Sequence, residues 1–226
     1  MSVTRGVALA AAAGLVLASC TSGDDGTTGE PAASVSPSPT STVSVPAAVS
    51  LTEPGSDMSF GDSASVIFEP NQKRGTVLEL TVGKATKGSV KDLSAFILDD
   101  HARSATPYYV DVTVKNVGEG DAGGAPVPLW AVDADNTLLP AASFTTSFRK
   151  CVSEPLPKKF EAGDSMDTCL VYLAPDGGTL EAVSFRPDQE FNPIRWTGEV
   201  ATPKPEPKKT KKSDKDGSKK SGKKKR

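Results

Sequence analysis

The sequence predicts an all-β domain, a β-sandwich of about seven to eight short strands, occupying residues 58–200. Three observations predict it. Apolar and polar residues alternate in short runs, the period of a half-buried strand. Gly, Pro, Asn and Asp separate those runs at short intervals. The segments on either side have compositions that cannot build a core, so the core must lie between them.

The strands follow in order. Ser63 to Phe68 is the first. Val77-Leu78-Glu79-Leu80-Thr81-Val82 is the second, with Leu78, Leu80 and Val82 on one face and Glu79 and Thr81 on the other. Tyr108 to Lys115 is the clearest: Val110, Val112 and Val114 form an apolar face, and Asp111, Thr113 and Lys115 a wet one. Asn116-Val117-Gly118-Glu119-Gly120 is its turn-rich exit. Pro126 to Val132, Ser143 to Phe148, Thr168 to Leu173, Leu180 to Phe185 and Ile194 to Thr197 complete the set. Ser89 to Leu98 breaks the alternation and predicts one or two helical turns. A domain of this size buries about two-thirds of its unfolded surface, enough for a core.

The N-terminal flank carries an address. Arg5 is followed by 13 uncharged, mostly apolar residues, Gly6 to Ala18, the pattern of a secretory signal. The run is shorter than the ~20 residues of a membrane span. Leu17-Ala18-Ser19-Cys20 resembles the lipobox of bacterial lipoproteins. That resemblance implies a signal peptide over residues 1–19, diacylglycerol on the Cys20 thiol, and cleavage just before it. A diacylglycerol carries two chains, and two hold a protein stably where one does not. The alternative is an ordinary signal peptide and a soluble secreted product.

Residues 20–57 are expected to be a spacer. Over 21–57, Ser and Thr supply 14 of 37 positions and Pro five, with no aromatic residue. As a flexible coil this segment would span on the order of 30 Å. Export also decides the cysteines. With Cys20 lipidated, Cys151 and Cys169 remain in an oxidising compartment, where a disulfide is expected. The closed loop would contribute about 3 kcal/mol on the chain-entropy account.

Charge is unevenly placed. Residues 58–199 hold 13 basic and 20 acidic residues, and residues 200–226 hold 12 basic and three. The final segment, residues 201–226, is expected to be a disordered Lys-rich tail. Its Lys208, Lys209, Lys211, Lys212, Lys219, Lys220, Lys223, Lys224, Lys225 and Arg226 are candidate polyanion-binding residues, acting through counterion release. On an exported protein the polyanions are anionic lipid headgroups or acidic wall polymers. Nucleic acid is not expected, because no aromatic residue interleaves the lysines.

The strand framework resembles a family of immunoglobulin-like domains of unknown function found in many Gram-positive lipoproteins. The resemblance rests on Tyr108-Tyr109-Val110-Asp111-Val112-Thr113-Val114-Lys115-Asn116, on Trp130-Ala131-Val132-Asp133, and on Phe160-Glu161-Ala162-Gly163-Asp164 ahead of Thr168-Cys169-Leu170-Val171-Tyr172. It covers most of residues 60–200. It implies an immunoglobulin-like sandwich in an extracytoplasmic module, with no catalytic residues to carry over.

Candidate chemistry is sparse. His101 is the only histidine, and no Gly-x-Ser-x-Gly elbow accompanies it, so a Ser-His-Asp site is not expected. Asp99-Asp100-His101 reads as a solvated loop, since adjacent side chains diverge on a regular backbone. Asp133-Ala134-Asp135-Asn136 lacks the glycine and closing Glu of a calcium loop and reads as a hairpin turn. Trp130 and Trp196 are expected in the core. Tyr108 and Tyr109 face opposite sides of their strand, so one of them is expected at the surface. No metal, cofactor or catalytic residue is expected. The functional expectation is a lipid-anchored extracytoplasmic binding or structural module at the cell envelope. An accessory subunit of an envelope enzyme is the alternative from another class.

Overall fold

The computed structural model describes residues 43–203. Nine strands form two sheets. They are β1 (Asp57–Ser59), β2 (Ser63–Asn71), β3 (Arg74–Lys87), β4 (Thr106–Asn116), β5 (Trp130–Asp133), β6 (Leu138–Leu139), β7 (Ser165–Ala174), β8 (Leu180–Phe185) and β9 (Ile194–Thr197). One sheet runs β2-β3-β4-β7, antiparallel throughout. The other runs β1-β9-β8-β5-β6, with β1 parallel to β9 and the other pairs antiparallel. Together they make a β-sandwich.

The alternation read from the sequence places the core. Leu78, Leu80 and Val82 of β3 and Val110, Val112 and Val114 of β4 turn inward, where Leu170 and Tyr172 of β7 join them. Ala131, Val183, Phe185, Ile194 and Trp196 meet them from the other sheet. Each such side chain, fully buried, contributes on the order of 1.5–3 kcal/mol. Tyr172 donates to the Leu129 carbonyl at 3.0 Å and Trp196 Nε1 to the Asp62 carbonyl at 3.0 Å, so neither brings an unpaired polar atom inside.

Five sequence expectations need correction. Residues 143–148 are not a strand; they cross the outer face of the β2-β3-β4-β7 sheet as irregular chain. Their apolar side chains Phe144 and Phe148 are held by other aromatic rings, not by strand pairing. Tyr108 and Tyr109 do face opposite ways, yet both are buried, Tyr108 in the central core and Tyr109 in this second layer. Trp130 is 38% exposed. Asp100–Ser104 forms a short helix, α1, where a loop was expected: Asp99 caps it by accepting from the Ala102 amide at 2.7 Å. Finally, the ordered domain begins ahead of residue 58. Thr52 pairs with Ser65, Gly55 donates to the Asn192 carbonyl, and β1 opens at Asp57.

The predicted turns between residues 89 and 98 reduce to one 3₁₀ turn, Val90–Leu93, capped by Ser89. The Asp133–Asn136 turn is as expected. Asn136 has φ 59°, and Asp133 Oδ1 accepts from the amides of Asp135 and Thr137 at 3.0 and 2.8 Å.

Candidate functional site

Cys151 and Cys169 form a disulfide, with Cα atoms 5.0 Å apart across a separation of 18 residues. Its position explains the second layer. Cys169 points outward from β7, in register with Asp111 of β4. Cys151 ends the irregular chain that crosses the sheet. The bridge therefore fastens that chain onto the outer face of β4 and β7. Above it, Phe96, Phe144, Phe148 and Tyr109 pack ring against ring, with centroids 4.8–5.9 Å apart. Leu93, Val171 and Leu173 fill the rest.

One ion pair locks this layer from the side. Asp92, on the 3₁₀ turn, accepts from Lys150 Nζ at 2.6 Å, from the Tyr109 hydroxyl at 3.1 Å and from the Ser89 amide at 3.1 Å. Burial alone would raise the Asp92 carboxyl. The hydrogen bonds from Lys150, the Ser89 backbone and Tyr109 outweigh it and hold the group below its ordinary 3.8. Tyr109 moves the other way: burial, then the Asp92 charge and hydrogen bond, raise its hydroxyl far above the ordinary tyrosine value.

The layer also guards an edge. β7 is the last strand of its sheet, and its outward backbone would otherwise be open to pairing. The Ala142 amide donates to the Val171 carbonyl at 2.7 Å and the Cys169 amide to the Val152 carbonyl at 3.3 Å.

Beyond the disulfide the layer stops and the sheet's outer face is bare. Ser63, Thr81, Thr113 and Asp167 stand in register across β2, β3, β4 and β7. Thr113 donates to Asp167 Oδ1 at 2.6 Å, and the Ser63 and Thr81 hydroxyls are 2.7 Å apart. A groove of about 380 Å³ lies on this face, with Gly83, Asp111 and Val152 beside the threonines and the disulfide at one end. The surface it exposes is mostly apolar, and the hydroxyls and carboxylate beside it pair with one another.

A second recess, of about 480 Å³, opens on the other sheet between Trp130, Leu138 and the loop Arg186–Gln189. Sequence reading placed Trp130 in the core because the strand around it is apolar. Its chain neighbour Ala131 does face inward, as does Trp196 on β9, and Trp130 takes the opposite side. The Arg186-Pro187-Asp188 sequence after β8 signalled a shaped turn, but nothing in it pointed to Trp130.

The remaining candidates come apart. His101 is exposed on α1, Asp99 is engaged in capping, and Asp100 pairs with Arg103 at 3.0 Å. Among the described residues no three His, Cys, Asp or Glu side chains gather where they could hold a metal. Cys20 and the tail cations from Lys208 to Arg226 lie outside the described residues. No helix among the described residues is long and apolar enough to cross a membrane. No family model matches the chain, and neither a curated protein nor a solved structure does.

Proposed function

We propose that the protein is a lipid-anchored, extracytoplasmic immunoglobulin-like module that binds or organises other components at the cell envelope, without catalysis of its own. One observation carries the reading: the Cys151–Cys169 disulfide is built into the layer that closes β7, and such a bond persists where the compartment is oxidising. That is the environment to which the Arg5–Ala18 signal pattern and the Leu17-Ala18-Ser19-Cys20 motif would deliver the chain. The anchor is diacylglycerol on Cys20. The Lys-rich tail supplies a second attachment, to anionic headgroups or acidic wall polymer. Two attachments on one chain reinforce each other through effective concentration.

The test is the intact mass of the mature protein recovered from its own membrane fraction, before and after reduction. The expected mass begins at Cys20, carries diacylglycerol, and rises by about 2 Da on reduction of one disulfide. An unlipidated species found in the medium would overturn the anchor and leave a diffusible protein.

A further inference from the structure

We propose that the recess beside Trp130 binds a pyranose unit of a neutral glycan. This goes beyond the envelope reading and does not depend on the anchor or the tail.

The strand register assembles the site. Trp130 of β5 stands opposite Ser184 of β8, and Ser184 stands opposite Arg195 of β9. Residues directly opposite share a face. The next positions along the strands, Ala131, Val183 and Trp196, are in the core, so Trp130, Ser184 and Arg195 form a row on the outer face. Trp130 is 38% exposed, a large aromatic surface left open to solvent. Beside it, Ser184 is only 1% exposed, and its hydroxyl has no hydrogen-bond partner among the described residues. Arg195 Nε is likewise buried and unpartnered. Buried polar atoms without partners are uncommon and call for a reason. Both atoms lie beneath the surface and neither lines the recess, so the groups that meet a ligand are Trp130, Arg186, Asp188 and Gln189.

The far wall is pre-shaped. Arg186 donates from Nε to the Asp188 carbonyl at 3.2 Å and from Nη2 to the Gln189 carbonyl at 2.7 Å. Asp188 Oδ1 accepts from the amides of Glu190 and Phe191 at 2.9 and 2.8 Å. Phe191 then packs edge-on against Phe185 of the core, with ring centroids 5.5 Å apart, which fixes the loop. These bonds leave Arg186 Nη1, Asp188 Oδ2 and the Gln189 amide available at the rim.

The chemistry selects the ligand. A pyranose has an apolar C–H face and a rim of hydroxyls, each both donor and acceptor. The tryptophan π face, with its negative quadrupole, suits the C–H face. Guanidinium donors, a carboxylate acceptor and an amide suit vicinal hydroxyls. In the lining one cation, Arg186, is set against one carboxylate, Asp188. That balance gives an ionic ligand no preference.

The experiment titrates the full chain with cellohexaose, maltohexaose and chitohexaose and follows tryptophan fluorescence. Neutral sugars give the Lys tail nothing to attract. At least one of the three should shift the emission saturably, and in Trp130→Ala, where the fluorescent reporter is gone and titration calorimetry reads the affinity, binding should weaken at least tenfold. Trp196, fully buried, reports that the variant remains folded. Gln189→Ala removes only an exposed side chain, because the structural hydrogen bond there uses its backbone carbonyl, and it should weaken binding several-fold. The proposal is overturned if none of the sugars perturbs the fluorescence up to about 10 mM, or if Trp130→Ala binds as tightly as the parent. It is equally overturned if Trp130→Ala converts a dimer into a monomer in sedimentation, which would make the recess a contact between copies.

Discussion

Asn116 ends β4 fully enclosed, and every hydrogen-bonding position of its side chain is used. Oδ1 accepts from the Thr76 hydroxyl at 2.7 Å and the Gly118 amide at 3.1 Å. Nδ2 donates to the carbonyls of Gly120 and Phe160, each at 2.7 Å. It thereby ties β3, the β4 exit and the chain before β7 into one joint. Gly120 is required there, because a Cβ would overlap the carbonyl oxygen of Gly75. Asn116→Ala should cost about 3 kcal/mol, since it orphans four partners at once, three of them buried; chemical denaturation measures it. Sequence alone showed Asn116 only as the start of a turn. Its partners lie up to 44 residues away, and no local pattern carries that information. Asp92 gives a second prediction at this scale. Its carboxyl is held below the ordinary value, so the folded state favours the charged form. The stabilisation is complete above the ordinary carboxylate range and is lost as pH falls through the depressed value. In thermal melts taken from about pH 5 downward, the loss attributable to this group should vanish in Asp92→Asn. Lys150→Met should reduce it only partly, because Ser89 and Tyr109 still donate.

At the scale of elements, the disulfide and the aromatic layer act as one unit over β4 and β7. Replacing both Cys151 and Cys169 with Ser should lower stability by about 3 kcal/mol and the Tm by roughly 10 °C, read by calorimetry with and without reductant. Opening should begin in residues 142–152, which hydrogen exchange would show as early loss of protection at Ala142. The long strands were legible because a two-residue period is a local property: Leu78-Leu80-Val82 and Val110-Val112-Val114 announce their inward faces directly. The chain at 143–148 was not, because its phenylalanines have the same spacing whether they face a partner strand or lie across a finished sheet. β1 and β6 escaped for a different reason. At three and two residues they are too short for any period to show, and their pairing is fixed by β9 and β5. Of the two tryptophans, the sequence could not say which faces in, since both sit among apolar neighbours and a one-residue difference in register exchanges the faces.

For the whole molecule, charge is the organising quantity. The acidic body and the basic tail, with 20 acidic residues in one and 12 basic residues in the other, are separated along the chain. Deleting residues 204–226 should abolish salt-dependent binding to vesicles containing anionic lipid; undiminished binding by the truncated chain, in a flotation assay across salt concentrations, would place the attachment elsewhere. This expectation is drawn from composition alone, because polyelectrolyte attraction needs no fold. The Trp130 recess was illegible for the opposite reason: Trp130 on β5 and Arg186, Asp188 and Gln189 after β8 lie more than 50 residues apart, and only the β5–β8 pairing joins them.

The two ends of the described chain are stitched in a particular way. Asp57–Ser59 runs parallel to Arg195–Thr197 in one sheet. Thr52 bonds to Ser65 in the other sheet, and Ala201 is held there between Ala85 and Lys87. A pull that draws the two ends apart acts along the strands, so the β1–β9 bonds meet it in shear, all together, and cannot open one after another like a zip. Both ends are also secured to both sheets. Tension applied between residues 52 and 201 would therefore load the β1–β9 pairing along its strands and not across them.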